Sequence, residues 1–190
     1  MTDLALLAGP SALLAAAATV VGAVTLILFF TKGQPWGLLN DIASIVLMVA
    51  TIPVALAISD VHIADWDWPA GIAAVGVVGM VGASISQGLL IARRYTYIQL
   101  LPWTLGFGAV VGVWYILVGL LGVRLGLFQS LLDVLAILSG VSFIALGYGF
   151  LRGNERHPLS IVGGLVLLVS STWFLAWVGL LFISGDIYAA

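Results

Sequence analysis

The sequence predicts an all-helical integral membrane protein, a bundle of six transmembrane helices. Six apolar stretches of 19 to 25 residues run through the 190-residue chain, and all six Lys and Arg residues fall in the short segments between them. Composition agrees, with 63% apolar and 7% charged residues, against roughly 45–50% and 25% in a soluble domain. The spans lie at 12–30, 38–58, 69–92, 103–122, 131–151 and 160–184, each near the ~20 residues a helix needs to cross a hydrocarbon layer. Continuous apolar runs lack the alternation of a transmembrane barrel, and a backbone in lipid must satisfy its own hydrogen bonds, so helices remain.

Proline placement gives independent boundaries, because proline lacks an N–H and is harmless at or before a helix's first turn. Pro10, Pro35, Pro69, Pro102 and Pro158 sit at or just before a span's start. Pro53 alone lies inside one, where it should free the carbonyl of Val49 and bend the second helix unless Thr51 or a neighbouring helix compensates. The connections are too short for a soluble domain, so residues 1–190 read as one membrane domain.

The cations set the expected orientation. Lys32, Arg93, Arg94, Arg152 and Arg156 occupy alternate connections, with Arg124 alone on the other side. The positive-inside rule then predicts both termini on the non-cytoplasmic face, and the plasma (inner) membrane is the expected location. Trp36, Tyr95, Tyr97 and Trp103 mark the expected inner boundary, and Trp66, Trp68 and Tyr188 the outer one. No basic residue precedes the first apolar run, so that run is expected to be a retained span, not a cleaved signal.

Sliding the chain by 92 residues lays spans one to three on spans four to six. It sets Leu39, Asp41, Ile45, Val49 and Ile52 on Leu131, Asp133, Ile137, Val141 and Ile144. A repeat of three crossings would make the second half an inverted copy of the first, a design of secondary transporters.

Asp41 and Asp133 are the acids nearest the hydrocarbon, and an intramembrane acid is a functional candidate by default. Both also fall near helix N-termini, where a carboxylate is stabilised by free N–H groups. Capping, helped by Asn40 and Ser130, is the simpler reading, and a coupling-ion or proton-relay role the sharper one. Gln87, Ser139, Ser170, Ser171 and Thr172 are neutral polar residues at depth. Such groups ordinarily bond a neighbouring helix or their own preceding turn; the alternative is that Gln87 and the 170–172 triplet line a polar cavity. Gly76, Gly79 and Gly82 with Ser86, and the Gly108–Gly112 spacing, mark faces where helices can approach closely.

The connection holding Asp60, His62, Asp65 and Asp67 has metal-ligand residue types but matches no known ligand spacing, so a solvated acidic loop accounts for it and no metal site is assigned. Zero cysteines removes thiolate chemistry and Cys-type metal sites. Both histidines lie in connections, no lysine lies inside a span, and no catalytic or phosphate-binding motif occurs. Six scattered cations make no nucleic-acid stripe. No catalytic residue and no cofactor is therefore assigned. The expected partners are the lipid bilayer and other membrane proteins or further copies of the chain. The reading is a non-enzymatic membrane component, such as an accessory subunit, scaffold or self-associating bundle; the alternative is a small inverted-repeat transporter or channel.

Overall fold

The computed structural model describes residues 3–60, 68–126 and 128–188. Six helices follow in order: α1 (Asp3–Lys32), α2 (Trp36–Asp60), α3 (Trp68–Ile91), α4 (Tyr97–Leu125), α5 (Ser130–Gly153) and α6 (Pro158–Ser184). All six are long and apolar enough to cross a membrane. Much of their outer surface carries exposed Leu, Ile, Val and Phe, among them Leu14, Ile27, Ile85, Leu120, Val141 and Leu165. Such a surface suits lipid and not water, and the chain is a polytopic membrane protein.

The helix ends obey local chemistry. Pro158 opens α6 behind His157, whose ring nitrogen accepts from the Leu159 amide. Thr96 and Gln99 form a reciprocal capping box at α4, so that helix starts before Pro102 and carries it inside. Pro10 likewise lies inside α1, which begins at Asp3. The expectation that these two prolines mark helix starts is thus corrected, and the cap, not the proline, decides where α4 begins. Pro53 lies inside α2 as expected. Thr51 does not compensate it, since its hydroxyl donates to Leu47 O at 2.7 Å and not to Val49. Gly126 ends α4 at a φ of 68°, where its amide reaches back to Gly122 O; the left-handed turn favours glycine at such a cap.

Each helix packs on its sequence neighbours, and α1 closes on α6, so the six form a ring in chain order. Adjacent helices are antiparallel. Along α3, Gly76, Gly79 and Gly82 face Trp114, Val111 and Phe107 of α4 in descending order. Gly112 and Gly119 of α4 meet Gly140 and Asp133 of α5 in the same sense, Gly163 of α6 meets Leu146 of α5, and Gly9 of α1 meets Gly179 of α6. Lys32, Arg93, Arg94, Arg152 and Arg156 therefore gather at one end of the ring, here the cationic end, and the two termini at the other.

This ring order corrects the inverted-repeat expectation. A two-fold axis in the membrane plane acts as a mirror in projection, so it reverses the sense in which helices succeed one another around a ring. Superposing α1, α2 and α3 on α4, α5 and α6 preserves that sense, so no such axis relates the halves. An axis along the membrane normal preserves it but needs α1 and α4 to run the same way, and alternation runs them oppositely. The matched residues of α2 and α5 reflect two apolar helices with an acid near the start.

The ring's interior is filled. Trp114, Phe174, Met80 and Val54 are 0% exposed and Tyr115 is 1% exposed. Tyr115 meets Trp114 edge-on at 4.7 Å between ring centroids, Phe174 at 5.7 Å, and stacks on Phe143 at 6.0 Å. Ala8, Ala12 and Ala15 turn the small face of α1 to this core.

The glycine contacts predict a graded response. Gly140→Ala drives a methyl onto Gly112 O and Ile116 and should lower stability by about 1–3 kcal/mol. Gly106→Ala, with nothing within 4 Å, should be neutral or stabilise by up to ~1 kcal/mol through helix propensity. Thermal unfolding in one detergent compares the two, and equal losses would contradict the packing described.

Candidate functional site

The polar residues picked out by sequence do not converge on one site. Ser139 and Ser170 meet between α5 and α6, their hydroxyl oxygens 3.0 Å apart. Each also lies 2.7 Å from a backbone carbonyl one turn back, Leu135 O and Val166 O respectively. Ser171 reaches the other way, to the Tyr115 hydroxyl of α4 at 3.2 Å. This seam joins α4, α5 and α6, and Tyr115 is the member that sequence reasoning did not select. No histidine or carboxylate takes part in these hydrogen bonds, so the seam has the form of helix-to-helix adhesion.

Gln87 and Thr172 stand apart from it. Gln87 Oε1 and Thr172 Oγ1 are buried without a hydrogen-bond partner, as is Trp114 Nε1, whose indole lies on Gly76. Of the triplet expected to line a polar cavity with Gln87, Ser170 and Ser171 are tied to α5 and α4, and the core around them is aromatic.

The two acids lie at opposite ends of the ring and take no part in the seam's hydrogen bonds. Asp41 is half-buried in the second turn of α2 at the cationic end. Asn40 caps nothing there. Its Nδ2 donates across to Gly22 O of α1 at 2.9 Å, while the Gln34 side chain accepts from the Leu38 amide at the start of α2. Asp133, in the first turn of α5, is 2% exposed. Its Oδ1 has no hydrogen-bond partner and presses on Gly122 of α4, and its carbonyl faces Gly119. Asp133 Oδ1 therefore caps no N–H, although the residue stands in the first turn of α5 where the helix N-terminal field favours an acid. What sets Asp133 in place is the absence of side chains on Gly119 and Gly122.

Of the acidic connection, Asp60 ends α2, whereas His62, Asp65 and Asp67 lie outside the described residues. Among the described residues no three His, Asp or Glu side chains group as metal ligands.

A recess on the flank of the bundle was not foreseen. Near the terminal end α1 and α6 touch at Gly9 and Gly179. Towards the cationic end α2 and α5, which are not neighbours in the ring, both line a crevice of about 430 Å³ between α1 and α6. From α1 come Thr19, Gly22 and Phe30; from α2, Asn40, Ser44 and Met48; from α5, Phe143 and Phe150; from α6, Ser160, Gly164 and Leu168. Two polar groups among these are turned to backbone: Thr19 donates to Ala15 O at 2.9 Å, and Asn40 to Gly22 O. The wall is left almost wholly hydrocarbon, with Glu155 at its cationic end. A charged or strongly polar solute finds no partner in such a wall, whereas an apolar one does.

In comparison with known proteins, no family model matches the chain, and neither a curated protein nor a solved structure matches it.

Two double-mutant cycles test the site geometry. Gly122→Ala should destabilise on its own, and adding Asp133→Ala should recover most of that loss, a coupling of about 1 kcal/mol or more. Tyr115→Phe and Ser171→Ala should each cost roughly 0.6 kcal/mol and be largely redundant together. Unfolding in detergent reads both, and simple additivity in the first would mean that Asp133 does not occupy the space over Gly122.

Proposed function

We propose that this protein is a non-enzymatic component of a membrane, acting as an accessory, scaffold or self-associating bundle through the surface it offers to other membrane constituents. The observation that carries this reading is the filled centre of the ring. Where a permeation path would run, Trp114, Tyr115, Phe174 and Met80 are packed at 0–1% exposure, and interiors of this kind hold no continuous water.

Two further observations support it. The hydroxyls of Tyr115, Ser139, Ser170 and Ser171 bond one another or the backbone, and among the described residues no acid or base joins them in a hydrogen bond that could activate them. The inverted repeat that would have supplied a transporter's scaffold is incompatible with the ring order. The proposed orientation sets the cationic end towards the cytoplasm, following the five-to-one distribution of Lys and Arg, in the plasma membrane.

Reconstitution tests the reading directly. Vesicles containing the purified chain should match protein-free vesicles in the flux of protons, alkali cations, chloride and glycerol. A saturable flux that is lost in Asp41→Asn or Asp133→Asn would overturn the proposal in favour of transport.

A further inference from the structure

The crevice between α1 and α6 joins two chemistries. Most of its length is hydrocarbon wall, against which an apolar body fits. Its cationic end is different. Phe30 of α1 and Phe150 of α5 both line it there, their ring centroids 6.2 Å apart and their planes inclined at 32°. Glu155, in the turn that follows α5, lines it too. An aromatic face carries the negative side of a quadrupole and a carboxylate a full negative charge, and the two together are the chemistry that recognises an organic ammonium ion.

Lys32, Arg152 and Arg156 share this end of the ring, yet none of them lines the recess, whereas Glu155 does. Arg152 is turned to Tyr148, its guanidinium over that ring and its Nε donating to the phenol at 3.1 Å. Arg156 Nε approaches Glu155 Oε1 at 3.8 Å, but the Arg156 side chain is 92% exposed, and an ion pair so open to water holds its acid weakly. A second carboxylate stands close by: Asp41, the neighbour of the lining residue Asn40, acts electrostatically together with Glu155 on the Tyr97 phenol of α4. The wall offers a charge nothing, so the charge of an occupant belongs at the end where Glu155 lies, and its sign there is positive.

We propose that this crevice is a binding site for an organic ammonium ion with an apolar body, the body lying along the wall and the ammonium group at Phe30, Phe150 and Glu155. The inference goes beyond the scaffold reading and does not need it, because occupancy of the flank involves no passage through the filled centre; ligand binding and solute flux are separate measurements, and either can fail without the other.

The test uses the full chain in nonionic detergent and equilibrium dialysis of three probes that share one body: phenylhexylammonium, phenylhexanol and phenylhexanoate, at neutral pH. Wild type should take up one phenylhexylammonium saturably, roughly tenfold more tightly than the alcohol, with the carboxylate weakest. Glu155→Gln should erase the preference for the ammonium over the alcohol, Glu155→Asp should keep most of it, and Phe150→Leu should weaken the ammonium roughly threefold. A Cβ at Gly164 or Gly22 meets its nearest neighbour at 3.7 or 3.8 Å, so Gly164→Leu and Gly22→Leu enter the recess without striking backbone. Either should abolish saturable uptake, and having two variants guards against one failing to fold. Gly106→Leu, at a position outside the crevice lining with nothing within 4 Å, should leave it unchanged. Equal affinity of wild type for ammonium and alcohol, a preference that survives Glu155→Gln, uptake that persists in both crevice-filling variants, uptake lost equally in Gly106→Leu, or no saturable uptake at all would each overturn the proposal.

Discussion

Everything in this bundle depends on backbone touching backbone. Between helices already surrounded by lipid tails, hiding one apolar side chain against another gains little, so cohesion has to come from close van der Waals contact. The chain meets that constraint by placing glycine wherever neighbouring axes come nearest: Gly76, Gly79 and Gly82 seat three side chains of α4, and Gly112 opposes Gly140 so closely that either would collide with the other's carbonyl if it bore a methyl. Where glycine is set against a large partner, as under Trp114, it acts as the socket for a core aromatic. The polar seam from Tyr115 through Ser171, and from Ser139 to Ser170, adds direction to contacts that would otherwise be indifferent to rotation.

From that constraint follows the contrast between the interior and the periphery. A ring closed in chain order, with a small-faced α1 and aromatics from α4 and α6 pointing inward, fills its own centre. Space is left where helices that are not sequence neighbours are brought into view of each other, as α2 and α5 are behind α1 and α6. The bundle is therefore solid along its axis and indented on its flank.

The parts that were legible in the sequence are those governed by local chemistry. Hydropathy over ~20 residues fixes a span irrespective of its neighbours, so all six crossings could be read, as could Pro35 before α2 and Pro158 at the start of α6. Pro102 misled because the stronger signal, Thr96 with Gln99, stood six residues earlier. Asp41 and Asp133 looked like caps because they lie near helix starts, but only three-dimensional packing reveals that Asn40 bonds to α1 and that Asp133 rests on two glycines of α4. The apparent repeat failed for a related reason: likeness between two segments carries no information about the order in which helices surround a core. The crevice left no trace, since it arises from the divergence of the first helix from the last, and nothing in either segment alone encodes an angle between them.

That closure of first upon last also has a temporal side. Gly9 and Gly179, which join the ring's ends, are about 170 residues apart, so at elongation rates of roughly 5–20 residues per second the ribosome needs about 10–30 s to deliver the second after the first. Throughout that interval α1 sits in the bilayer with its alanine edge uncovered, open to whatever small-faced helix drifts past. Newborn chains are thus most susceptible to mispairing before translation ends, and a membrane chaperone that shielded this edge would have to let go only once α6 emerged.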